Sequence, residues 1–148
     1  MHAQIAQETV MKPTQRETEY LSVTDTAKLI RKRLKALYPK VKFSVRSRKY
    51  AGGASIDVET PVDFPDADLK KVDSEIAPFQ SRGFDGMIDM SYGKTTWLLP
   101  DGSVTPAESS GTEGSGGLAP GYVNPAPHPD ARKISSGANY IFVQKAWR

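Results

Sequence analysis

The chain has 148 residues, of which 38% are hydrophobic and 25% charged, a composition that suits one globular domain and excludes two large ones. It holds no cysteine, which excludes a disulfide framework, a thiolate nucleophile and a zinc knuckle. The net charge of +3 hides two opposed blocks: residues 11–50 carry twelve Lys/Arg against three Asp/Glu, and residues 51–113 carry four against twelve. Such polarity steers charged partners more than it decides fold. No apolar run approaches the ~18 residues of a membrane span. The start, MHAQIAQETVMKPTQ, lacks the basic-then-apolar order of a secretory signal, so a cytoplasmic protein without a membrane partner is expected.

Residues 1–19 are polar and without periodicity, and read as a flexible lead-in to a single domain over 20–148. The first helix is set by Ser22, which can cap a first turn, by Asp25 near the positive helix end, and by Pro39, which stops the run. Between them Val23, Ala27, Ile30, Leu34 and Leu37 form one apolar stripe. Lys28, Arg31, Lys32 and Lys35 fall off that stripe, which makes the outer face basic. The period then changes to two: Val41, Phe43 and Val45 point one way, and Lys42, Ser44 and Arg46 the other. A second strand follows, with Ile56 and Val58 inward and Asp57 and Glu59 outward. Gly52 and Gly53 suit the hairpin connection, and Lys42 and Arg46 are expected opposite Asp57 and Glu59.

A second helix follows Pro65, with Leu69, Val72 and Ile76 at helical spacing and Pro78 at its close. Ile88, Met90 and Tyr92 alternate as a third strand, and a fourth, TTWLLPDGSV, carries a Pro-Asp-Gly turn at 100–102. Residues 106–129 hold five prolines and five glycines and read as a flexible inserted loop that buries too little apolar surface to order itself. Tyr140–Val143 is an unbroken apolar run expected to be a central strand, inserted beside the first. The predicted fold is α+β, in the order α-β-β-α-β-β-β, with two helices on one face of a mainly antiparallel sheet.

The block YLSVTDTAKLIRKRLKALYPKVKFSVRSRKYAGGASIDVET, the later FDGMIDM and the late YIFVQ strand resemble a large polyvalent protein-associated domain. The resemblance covers residues 20–92 and 138–147, and the Gly/Pro loop departs from it. It implies an α+β module from phages, plasmids or conjugative elements, and it carries over no catalytic or ligand residues. It also implies a setting in which such elements deliver proteins that act early against host defences or handle incoming DNA. The expected role is a non-enzymatic accessory protein, without a cofactor, that antagonises a host defence system such as CRISPR or restriction in the bacterial cytoplasm. The partner would be a host defence protein or nucleoprotein complex. The alternative is a direct nucleic-acid-binding protein for element transfer or regulation through the basic helix and hairpin.

From the residues themselves, the strongest chemistry is the basic tract Arg31–Lys49, with nine Lys/Arg, no Asp/Glu, and Tyr38, Phe43 and Tyr50 interleaved. Phosphate binding needs such charge, and bases can stack on an exposed aromatic. Lys28, Arg31, Lys32, Lys35, Arg46, Arg48, Lys49 and Tyr50 are therefore the candidate contacts for DNA, RNA or an acidic partner. The simpler account is a solvated helix face with cross-strand ion pairs. Asp63, Asp66, Asp68, Asp73 and Glu75 give the opposite option, imitation of a phosphate backbone, against favourable charge at a helix start. No enzyme is expected: His2 and His128 lie in the lead-in and the Pro-rich loop, outside any rigid acid/base pair. Asp57, Asp85 and Asp89 would need to converge to hold a metal, and none is expected. GSGGLA at 114–119 and His128-Pro129-Asp130 match known motifs in letters alone, since neither lies in the strand-to-helix or helical-hairpin context its motif requires.

Overall fold

The computed structural model describes residues 16–147; the first fifteen residues of the expected lead-in lie outside them. The elements are β1 (Thr18–Tyr20), α1 (Val23–Leu37), β2 (Ser44–Tyr50), β3 (Gly53–Thr60), α2 (Asp66–Ile76), β4 (Arg82–Asp85), β5 (Met90–Leu98), β6 (Val104–Ser109), β7 (Tyr122–Val123), β8 (Arg132–Ser135) and β9 (Tyr140–Lys145). Single 3-10 turns occur at Ala77–Phe79 and Glu113–Ser115. No helix among the described residues is long and apolar enough to cross a membrane.

Helix α1 starts where the sequence requires. The Ser22 hydroxyl accepts the Asp25 amide at 3.0 Å, which satisfies one of the amides that a first turn leaves without a helical partner. Val23, Thr26, Ala27, Ile30 and Leu34 are buried along one stripe, while Leu37 at the end of the predicted stripe stays exposed. The hairpin forms with Arg46 opposite Asp57 and Arg48 opposite Ser55. Gly52 supplies the turn at φ +86°, where an L side chain is strained. The second helix and the turn at Pro100–Gly102 also stand where the sequence places them, the latter with Gly102 at φ +87° and its amide on Leu99 O.

The fold is α+β, but its single expected sheet is two mixed sheets. The smaller has the order β2-β3-β9, with β3–β9 parallel. The larger has the order β1-β8-β5-β6-β7, with β1–β8 parallel and β4 paired to β5. The last strand therefore lies beside the second strand of the hairpin and not the first, and it is an edge rather than a centre. Its unbroken apolar run reflects one face, Ile141 and Val143, packed partly buried against the core, plus an outward Phe142, 51% exposed. The expected third strand is displaced: Ile88 lies in the turn between β4 and β5, and Asp89 takes φ 53° there. Thr18 and Glu19 of the expected lead-in, together with Tyr20, pair with β8. The Glu19 carboxylate accepts Arg132 Nη2 at 2.7 Å beside that pairing.

One core joins both sheets to the helices: Ile30 and Leu34 of α1, Ile56 and Val58 of β3, Val72 and Ile76 of α2, and Leu98 and Ile134 from the larger sheet. A second cluster gathers Trp97, Ala107 and Ala131; Trp97 is fully buried and donates Nε1 to Asn124 O at 3.0 Å. Residues 106–129, expected as a loop, contribute the end of β6 and all of β7. Polar atoms order the segment where apolar burial does not. Asp85 Oδ2 accepts from Thr112 Oγ1 at 2.5 Å, the Leu118 amide at 2.8 Å and the Ala119 amide at 3.3 Å.

Candidate nucleic-acid interface

The basic tract lies on α1 and the hairpin, and its arginines and lysines differ in what they touch. Arg31 Nη2 donates to Val45 O at 2.7 Å, tying the helix to β2. Arg33 grips Glu75 of α2 at 2.5 Å and reaches Asp101 O. Arg46 pairs with Glu59 at 3.4 Å, and Arg48 with Asp57 at 3.0 Å. The cross-strand pairing foreseen for Lys42 is thus taken by Arg48. A planar guanidinium with several fixed donors suits such bracing, whereas a lysine on a flexible stem keeps its charge in water. Lys28, Lys32, Lys35, Lys40, Lys42 and Lys49 are all exposed, and among the described residues none has a carboxylate within ion-pair distance.

These side chains do not form one continuous surface. Arg31, Lys35 and Lys42 wall a shallow groove of about 240 Å³ between α1 and β2, floored by Leu34, Val41, Phe43 and Val45. Lys32 borders a separate hollow on the other flank of α1, beside Leu99, Asp101 and Arg132. Strand alternation puts Lys49 on the helix side of the small sheet with Val45, and Arg46, Arg48 and Tyr50 on the opposite face. Tyr38 and Phe43, interleaved in the tract, make edge-on contacts with Phe64 at 5.5 and 5.6 Å, so two of the three aromatics serve packing. Tyr50 is 47% exposed.

The acidic block is largely engaged with the chain itself. Glu75 holds Arg33, Asp66 pairs with Lys145 at 2.5 Å, and Asp68 stands 3.9 Å from Lys71. The hydrogen bond from Lys145 holds the Asp66 carboxyl below the usual range. Of the three aspartates weighed for a metal, Asp57 is paired with Arg48 and Asp85 is taken up by the 112–119 segment. Among the described residues no three His, Asp or Glu side chains gather in metal-binding geometry. Sequence reasoning did not find Phe142, which shares the outward face with Tyr50. An unbroken YIFV run reads as a strand buried on both sides and carries no signal of exposure.

The family model for large polyvalent protein associated domain 29 matches residues 21–146. The chain belongs to that family, and the matched span includes the Gly/Pro segment as well as the two stretches over which the resemblance is visible by motif. No curated protein and no solved structure matches the chain.

Proposed function

We propose that the domain binds nucleic acid without turning it over, through the lysines of α1 and the α1–β2 groove. The observation that carries this reading is the division of labour in the tract: Arg31, Arg33, Arg46 and Arg48 brace the fold, and six exposed lysines stand without a carboxylate partner among the described residues. Lysines held by intramolecular carboxylates would present little net field, whereas unpaired ones release counterions from each phosphate they meet. Outside the tract Lys71, Arg132, Lys133 and Lys145 pair with carboxylates, whereas Lys70, Arg82 and Lys94 do not among the described residues. The family setting favours a second use of the same surface, in which the domain, within a host cytoplasm, opposes a defence complex by competing for its acidic or nucleic-acid-lined parts.

The test is the affinity for labelled single- and double-stranded DNA and RNA between about 50 and 200 mM salt. Binding should weaken linearly on logarithmic axes, and the combined Lys28→Glu, Lys32→Glu and Lys35→Glu variant should flatten that slope by about 1 for each phosphate it no longer neutralises. Asp89→Asn should leave binding unchanged. Absence of binding at the lowest salt would overturn the nucleic-acid reading and direct the search to protein partners among host defence complexes.

A further inference from the structure

Both helices pack on the same side of the small sheet, the side carrying Val45, Ile56 and Val58. On the other side the register sets Arg48, Ser55 and Tyr140 in one row and Arg46, Asp57 and Phe142 in the next. Tyr50 completes that face beside Gly53, and its ring edge comes within 3.6 Å of the place a Gly53 Cβ would occupy, so the tyrosine ring lies over β3 at that glycine. Phe142 and Tyr50 are 51% and 47% exposed, and Tyr140 is half-buried. Tyr140 and Phe142 are two residues apart on one strand, hence roughly 7 Å apart along the face.

We propose that single-stranded nucleic acid lies across this face, its bases stacked on Phe142, Tyr140 and Tyr50. The proposal rests on the nucleic-acid reading above and adds a second surface and a strand preference to it. The exposed rings and the orientation of two ion pairs, each neutral in sum, favour this occupant. In both cross-strand ion pairs the carboxylate is tucked in, with Asp57 and Glu59 side chains 20% and 22% exposed, while Arg48 and Arg46 stand out at 64% and 67%. An incoming polyanion therefore meets guanidiniums first, beside aromatic rings that accept any base. Bases in a duplex are stacked on each other and leave no ring for such a platform, whereas splayed single strands do.

The experiment compares binding of labelled oligothymidylate and of a DNA duplex of equal length at one low salt concentration. The proteins are the unmodified chain, Phe142→Ala, Tyr50→Ala, Phe142→Trp and the triple lysine reversal of α1. Each alanine variant should weaken oligothymidylate binding by about 5- to 100-fold while leaving duplex binding within about twofold, and Phe142→Trp should retain it. Both substituted positions are half-exposed, and thermal melting of each variant checks that it is folded; Tyr50→Ala carries the test if Phe142→Ala melts early. Alanine variants that bind oligothymidylate as the unmodified chain does would overturn the platform and, if the lysine reversal still abolishes binding, leave the basic surface standing. Equal weakening toward single strand and duplex would also overturn the single-strand platform. An unmodified chain that binds neither overturns both readings together.

Discussion

The small sheet with its helices and the stretch from β6 to β8 are held together by different chemistry. Around α1, side chains such as Ile30, Leu34, Ile56 and Val58 are fully buried or nearly so, and removal of apolar surface from water supplies the stability. In that stretch Ile134 of β8 reaches the main core, but the second cluster buries only Ala107 and Ala131 beside Trp97. There the ordering comes from polar atoms: the Asp85 cradle, Lys133 on Glu108 at 3.1 Å with the lysine side chain 7% exposed, and Arg16 Nη1 on Ala131 O at 2.5 Å. Apolar burial is non-directional and tolerates shifts, while each polar tie works at one geometry and fails when one partner is removed. The first region should therefore govern global unfolding, and the second should open locally.

The largest effect is expected from Leu34→Ala. Leu34 is 1% exposed at the centre of the shared core, and truncating a buried leucine costs about 2–5 kcal/mol. Urea denaturation should show a lower midpoint with an unchanged slope. Because Leu98 and Ile134 belong to the same cluster, fluorescence of Trp97, read in a Trp147→Phe background that removes the exposed second tryptophan, and far-ultraviolet circular dichroism should shift together. A variant in which Trp97 kept its original midpoint while the helical signal moved would make the larger sheet an independent unit.

A smaller and local effect is expected at Asp85. Hydrogen bonds from Thr112 Oγ1 and then the Leu118 amide hold its carboxyl down at about 2, against 3.8 for a free side chain. A folded-state value below the unfolded one means that the stabilisation is complete above about pH 4 and is lost as pH falls through about 2. The Leu118 and Ala119 amides should thus lose exchange protection across that acid window, and Asp85→Asn should speed their exchange at neutral pH. The α1 amides should not follow. Parallel loss of protection in α1 would show that the cradle supports the global fold and is not a local tie.

The same difference in chemistry explains how far the sequence can be read. Helix α1 is legible because Ser22, the 3–4 spacing of Val23, Ala27, Ile30 and Leu34, and Pro39 all agree. The hairpin is legible from alternation and from Gly52. Strands β1 and β7 span three and two residues, too few to show a period, and β8 buries a lysine where alternation would require an apolar residue. Asp85 reads as a lone carboxylate because, apart from the neighbouring Met87 amide, its partners Thr112, Leu118 and Ala119 lie 27 and more positions away. Within the candidate interface the lysines of α1 are visible from the helical period. That Phe142 faces outward depends on β9 taking the edge beside β3, which no local pattern encodes.

The smallest effect on stability is expected from Arg46→Ala. The guanidinium is 67% exposed and sits 3.4 Å from Glu59, a pair open to solvent and to salt, for which roughly 0.2–1 kcal/mol is typical. Its removal should shift the urea midpoint slightly, and the shift should shrink further at high ionic strength, where exposed pairs are screened. A loss well above that range would mean that the ion pair, and not the ladder with Gly52 and the Val45–Val58 pairing, sets the hairpin register. The variant separates structure from binding on the outward face. If Arg46 meets phosphates there, Arg46→Ala should weaken oligothymidylate binding more than it weakens the fold. Glu59→Gln, which removes the competing carboxylate and keeps the guanidinium, should leave that binding intact or strengthen it.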